Sequence, residues 1–127
     1  MTKLPGIPPN YQTVMPYLIL PNAAAFSTFT ESVFGAKITH TSMRDEHTIM
    51  HAEVMIGECT IMFADTTDKI EASPAGLFVY VADADTSFAK ALAAGATVLL
   101  EIEDRSYGRS GGVLDPFGNS WWITSII

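Results

Sequence analysis

The chain has 127 residues, 48% hydrophobic and 17% charged, a balance that predicts one packed domain and excludes a disordered segment. Fourteen acidic against seven basic residues give a net charge of −7, which argues against nucleic acid and anionic membranes as partners and suits a cationic ligand. No apolar run approaches the ~20 residues that span a bilayer, residues 1–10 lack the apolar core of a signal peptide, and the single Cys59 has no disulfide partner, so a cytoplasmic location is expected.

Residues 1–12 read as an extended arm, because Pro5, Pro8 and Pro9 forbid a helix and disfavour a central strand. The remainder, 13–127, divides into two similar halves joined by a linker at 66–76. In the first half, 13–65, the apolar run Tyr17 to Leu20 leads through the N-cap Asn22 into a helix over 23–34 that Gly35 ends. Phe26, Phe29, Val33 and Phe34 form the core stripe of that helix. Strands follow at 36–43, 48–56 and 59–65, with Cys59 expected to be a buried, inert thiol. In the second half, 77–127, Phe78 to Val81 is followed by a helix over 86–94, capped by Asp83 or Asp85 and ended by Gly95. Phe88, Ala91 and Leu92 make its core stripe. Strands follow at 96–101, 111–114 and 119–126, with a long loop at 102–110 and a tight turn at Asp115-Pro116-Phe117-Gly118. The pattern is β-α-β-β-β twice. It predicts an α+β fold of two βαβββ repeats forming a cupped mixed sheet with helices on its outer face.

Four motifs stand in order on that repeat: Met15-Pro16-Tyr17-Leu18, Val33-Phe34-Gly35-Ala36, His51-Ala52-Glu53, and the hairpin from Gly111 to Trp122. With them the chain, from about Gln12 to Ile126, resembles the vicinal oxygen chelate superfamily, which comprises glyoxalase I, bleomycin-resistance proteins and extradiol dioxygenases. The pair Trp121-Trp122 resembles the PhnB-like branch in particular. The resemblance implies a ligand cup, commonly in a dimer, and in the metal-dependent members one divalent ion held from the first and fourth strands of each half. The positions matching those ligands are Met15, Met62, Leu77 and Trp122. A thioether is a poor ligand for Fe²⁺, Mn²⁺, Ni²⁺ or Zn²⁺, and Leu and Trp offer no lone pair, so neither metal nor other cofactor is expected there. If these side chains and Tyr17 face the cup, it is apolar and aromatic, with Trp122 as a stacking platform. The competing reading is that they simply fill it.

Other residues could carry chemistry. His40, His47 and His51 lie close in sequence to Glu53, and His51 and Glu53 share a strand face at a spacing of two. That pair could act in acid–base catalysis or, with His40, hold a metal; the plainer expectation is polar residues on a solvated or dimer-facing surface. In the 103–109 loop, Arg105 and Arg109 could bind a carboxylate or phosphate and Tyr107 could stack or donate, or Asp104 could pair with either arginine. The leading expectation is a metal-free homodimer that binds a small hydrophobic or cationic molecule in a cup lined by Tyr17, Met62 and Trp122. One alternative is a divergent enzyme using His51, Glu53 or Tyr107 as acid–base groups. Another is a non-catalytic dimeric scaffold.

Overall fold

The computed structural model describes residues 4–127, so the first three residues of the expected arm lie outside the described part. Its elements run β1 (Tyr17–Leu20), α1 (Ala23–Phe34), β2 (Lys37–Met43), β3 (Ile49–Ile56), β4 (Cys59–Asp65), β5 (Gly76–Tyr80), α2 (Ala84–Ala93), β6 (Thr97–Arg105), β7 (Gly108–Leu114) and β8 (Ser120–Ser125). The first sheet has the order β1-β4-β3-β2 and the second β5-β8-β7-β6. In each, the outer pair β1/β4 or β5/β8 is parallel and the other neighbours are antiparallel. The two βαβββ repeats are therefore real, and the class is α+β.

Two compact units divide the chain: residues 1–31 with 35–73, and residues 32–34 with 74–127. In the first, α1 starts at Asn22, whose side chain accepts from the Ala25 N–H at 3.2 Å, and ends at Gly35 with φ +67°. The left-handed conformation at Gly35 lets its N–H reach back to the Glu31 and Thr30 carbonyls. Phe26 packs edge-on against Phe63 of β4 at 5.0 Å between ring centres, so α1 covers the sheet face carrying Leu18, Leu20, Ala52, Val54, Ile61 and Phe63, all buried. Burying each large side chain contributes about 1.5–3 kcal/mol. The opposite face carries Tyr17, His51, Glu53 and Met62.

In the second unit α2 begins at Asp83, which accepts from the Thr86 N–H at 3.2 Å. Asp85 is not the cap but sits in the first helical turn. Phe88 of α2 rests on Gly111, where an added Cβ would meet Phe88 Cε2 at 2.8 Å, and Phe88, Ala91, Trp121 and Ile123 are buried. Phe34 packs on Trp121 with ring centres 4.6 Å apart. The Asp-Pro-Phe-Gly turn is tied by Asp115, whose buried carboxylate accepts from the Phe117 and Asn119 N–H groups, the Asn119 amide and the Trp121 indole at 2.8–2.9 Å.

Two expectations are corrected. The 102–110 segment is no long loop: β6 runs to Arg105 and β7 starts at Gly108, leaving only Ser106 and Tyr107 as the turn. Charged residues hid the strand, yet edge strands carry charge on their open side. Cys59 is exposed, not buried, because it follows the Gly57-Glu58 turn at the hairpin tip, where side chains meet solvent. No described helix is long and apolar enough to cross a membrane.

Candidate functional site

A chain of hydrogen bonds crosses the face of the first sheet that α1 leaves uncovered. The registers β1/β4 and β4/β3 place Tyr17 beside Met62 and Met62 beside Glu53, and the β3/β2 register sets Glu53 beside His40. Residues directly paired across strands share a face, so the period-two alternation gathers these side chains together. The Tyr17 hydroxyl lies 3.1 Å from His51 Nδ1, and His51 Nε2 lies 2.8 Å from Glu53 Oε2. With Nε2–H donated to the carboxylate, Nδ1 of a neutral imidazole is the acceptor for the Tyr17 hydroxyl. Glu53 Oε2 also accepts from the Tyr11 hydroxyl at 2.6 Å. His40 stands beside His51, with ring centres 5.9 Å apart, and its Nε2 contacts the Ser42 hydroxyl at 2.8 Å.

Glu53 is only 6% exposed. Burial works against its charge, but the hydrogen bonds from Tyr11 and His51 and the nearby charges of His51 and His40 outweigh it and hold the carboxyl below the ordinary glutamate range. The same hydrogen bond to Glu53, with burial and the carboxylate's charge, raises the Tyr11 phenol. The expectation that His51 and Glu53 are polar residues on a solvated or dimer-facing surface is therefore corrected for Glu53, which is buried beneath the N-terminal segment. That segment is held at three further points. The Gln12 side chain donates to the Thr60 carbonyl at 2.8 Å and accepts from its N–H at 3.2 Å, and the Thr60 hydroxyl donates to the Asn10 carbonyl at 2.7 Å. Tyr11 escaped the sequence reading, since nothing in Pro8-Pro9-Asn10-Tyr11 says which sheet residue it reaches.

On the second sheet the parallel register pairs Phe78 with Trp122 and Leu77 with Trp121. Leu77 is thus one residue out of phase with Trp122 and lies on the face that carries the buried Trp121. A slip of one residue turns every side chain of a strand over. Phe78 and Tyr80 are the residues that accompany Trp122. The Phe78 ring is 5.3 Å from Tyr80 and 6.2 Å from Tyr107, and Phe78, Tyr80 and Tyr107 are 51%, 65% and 54% exposed. The Trp122 ring lies over Gly112, where any Cβ would overlap it. Alternation along β5 marks Phe78 and Tyr80 as sharing a face, but the register that brings that face to Trp122 left no local signal.

The remaining candidates have contacts of their own. Met15 precedes β1 and is half-buried. Arg109 donates to Asp85 at 2.6 Å and 3.1 Å and to Asp104 at 3.0 Å. Its hydrogen bonds raise the guanidinium further and lower Asp85. Arg105 donates to the Ser110 and Glu101 carbonyls and pairs with Glu103 at 3.4 Å. Both arginines are engaged internally, and of the two it is Arg109 that pairs with Asp104. Tyr107 belongs to the second unit and His51 and Glu53 to the first. His47 is exposed beside Glu46 in the β2–β3 turn.

Comparison with known proteins agrees with the fold. The model of the Glyoxalase/Bleomycin resistance protein/Dioxygenase superfamily matches residues 13–123. The chain belongs to this superfamily. Uncharacterized proteins from Mycobacterium tuberculosis and Mycobacterium bovis are 31% identical over 118 residues, covering 84% of this chain and 69% and 78% of theirs. Among solved structures, TioX from Micromonospora sp. ML1 has a TM-score of 0.73 at 22% identity, over 91% of this chain and 99% of its own. A PhnB protein from Bacillus cereus has 0.74 at 22%, over 90% and 99%. TnmS3, an antibiotic binding protein from Streptomyces sp. CB03234, has 0.69 at 15%, over 92% and 100%.

The donor set does not fit the divalent ion of the metal-dependent members. Met15, Met62, Leu77 and Trp122 present two thioethers, an alkyl group and an indole. Among the described residues no group of three His, Cys, Asp or Glu side chains converges as a metal site.

Proposed function

We propose that the chain binds a small, partly apolar molecule, without a metal at the superfamily's ligand positions, and does so as a homodimer in the cytoplasm. The observation that carries this reading is the aromatic ledge of Trp122, Phe78, Tyr80 and Tyr107 on one face of the second sheet. Rings this exposed and mutually packed offer stacking surface at little entropic cost. The antibiotic binding named for TnmS3 supports the same class of ligand. A planar or cationic molecule suits such a ledge, through stacking and cation–π attraction, and the net charge of −7 favours a cation. Trp122→Ala weakens binding of the captured molecule by about 1–3 kcal/mol, the usual effect of losing an aromatic anchor. Calorimetric titration of ligands found by thermal-shift screening checks this, and unchanged affinity overturns the reading.

A second reading rests on the Tyr17–His51–Glu53 chain. A carboxylate that orients an imidazole, whose other nitrogen faces an exposed hydroxyl, is the arrangement of a general acid–base relay. In it His51 takes a proton from Tyr17 or returns one, and Glu53 holds the ring and stabilises the imidazolium. On this reading Glu53→Gln abolishes turnover while the circular dichroism spectrum stays unchanged.

A further inference from the structure

The N-terminal segment and the first sheet enclose a recess of about 400 Å³ whose walls include Pro8, Pro9, Tyr11, His40 and Glu53. These wall residues all belong to the first unit, whereas the aromatic ledge is built from residues of the second. Both short contacts on Glu53, from Tyr11 and from His51, fall on Oε2. Oε1 has no partner among the described residues, and it is not sealed from solvent. A carboxylate in a residue 94% buried, kept ionised by its neighbours on Oε2, with its other oxygen unpaired beside a cavity, can take a further charged donor there.

The geometry points to this recess as a binding site for a small organic ammonium ion, with Glu53 Oε1 as the charged acceptor and Tyr11, Pro8 and Pro9 as the wall for its apolar body. A bare metal ion is the wrong size and chemistry. The volume falls in the range of small-molecule pockets, and a single free carboxylate oxygen is a poor cage for a divalent cation. An ammonium group takes what is present: one charge-assisted hydrogen bond to Oε1 and apolar and aromatic contact around the rest. The groups bordering the site are fixed in their roles. The Thr39 hydroxyl already donates to the Glu53 backbone carbonyl at 3.3 Å, and the Tyr11 hydroxyl is spent on Oε2. His40, on the neighbouring strand, is the one titratable cation among the described wall residues, and in its protonated form it competes with the ligand.

Phenethylamine, its neutral counterpart 2-phenylethanol and the anion 3-phenylpropionate are the probes. They are titrated into the intact isotope-labelled protein at pH 8, where an ordinary imidazole is neutral and a primary amine is charged. The expected result is saturable amide shifts around Asn10, His40 and Glu53 with the amine, binding of the alcohol at least about tenfold weaker, and none with the anion. Glu53→Gln removes the preference for the amine. Equal binding of amine and alcohol, or amine shifts confined to the Trp122 indole and its neighbours, overturns the inference while leaving the ledge reading standing. The comparison of probes on the unsubstituted protein decides the matter even where Glu53→Gln fails to fold.

Discussion

Asp115 accepts more hydrogen bonds than any other carboxylate described, and they hold its turn together. Four donors converge on its two oxygens, and the residue is 3% exposed. Removing the side chain leaves two backbone N–H groups, an amide and an indole N–H without acceptors, and each orphaned donor costs about 1–3 kcal/mol when buried. Asp115→Ala therefore destabilises the fold by about 3–5 kcal/mol after partial relaxation, measured as the urea midpoint shift. Asp115→Asn retains one acceptor and loses less. A loss below about 1 kcal/mol for the alanine variant means that water replaces the carboxylate. The turn itself was legible in Asp-Pro-Phe-Gly, but the indole bond from Trp121 was not, since a hydrogen bond six residues away depends on the hairpin's twist.

At the scale of an element, the N-terminal segment behaves as a strap fastened to β3 and β4 by Tyr11, Gln12 and Asn10. Its tightest contact is the Tyr11–Glu53 bond. Tyr11→Phe removes it and costs about 1–2 kcal/mol, as for a hydrogen bond to a charged acceptor. Amide exchange of Asn10, Tyr11 and Gln12 reads the effect directly, since Pro8 and Pro9 carry no N–H, and unchanged protection sinks the assignment. The pH dependence has a definite sign. Glu53 has its folded-state pKa below the ordinary 4.5, so its share of stability is present above 4.5 and is lost as pH falls through the lower folded value. Tyr11 has its value raised above 10.0, so the stability of its neutral form is present below that pH and lost as pH rises through the folded value. Acid titration followed by exchange of the segment should release it only below pH 4.5. Proline spacing made a non-helical arm readable, whereas its docking partners are some forty residues distant in sequence and carry no local signal.

For the molecule as a whole, two predictions concern assembly and metal. The edge strand β6 leaves Val98, Leu99 and Leu100 at 42%, 46% and 40% exposure, and β2 leaves Ile38 and Met43 at 47% and 49%. Open apolar edges of this kind are normally covered by another chain. Light scattering after size exclusion is expected to give twice the 13.7 kDa chain mass; a monomer at micromolar concentration removes the dimer from the proposal. Mass spectrometry of the purified protein is expected to find less than stoichiometric metal, with no rise in melting temperature on adding Ni²⁺, Mn²⁺, Fe²⁺ or Zn²⁺. A stoichiometric metal with a clear shift restores a metal-dependent enzyme as the leading reading.

The sequence by itself determined the two βαβββ repeats, the helix cap at Asn22, the ends marked by Gly35 and Gly95, and the Asp-Pro-Phe-Gly turn, while leaving the second cap between Asp83 and Asp85. These are set by interactions within a few residues, where cap chemistry, φ preference and apolar period act directly. It also showed that Met15, Met62, Leu77 and Trp122, the positions expected to match the superfamily's ligands, are poor donors, because side-chain chemistry needs no fold to be read. Only the tertiary structure decided which residues meet. Strand register put Phe78 rather than Leu77 with Trp122, turned an expected loop into a hairpin that engages Arg105 and Arg109, and buried Glu53 between His51 and Tyr11. Register and docking arise from pairing between distant segments, and a shift of one residue leaves composition and periodicity unchanged while it reverses every face.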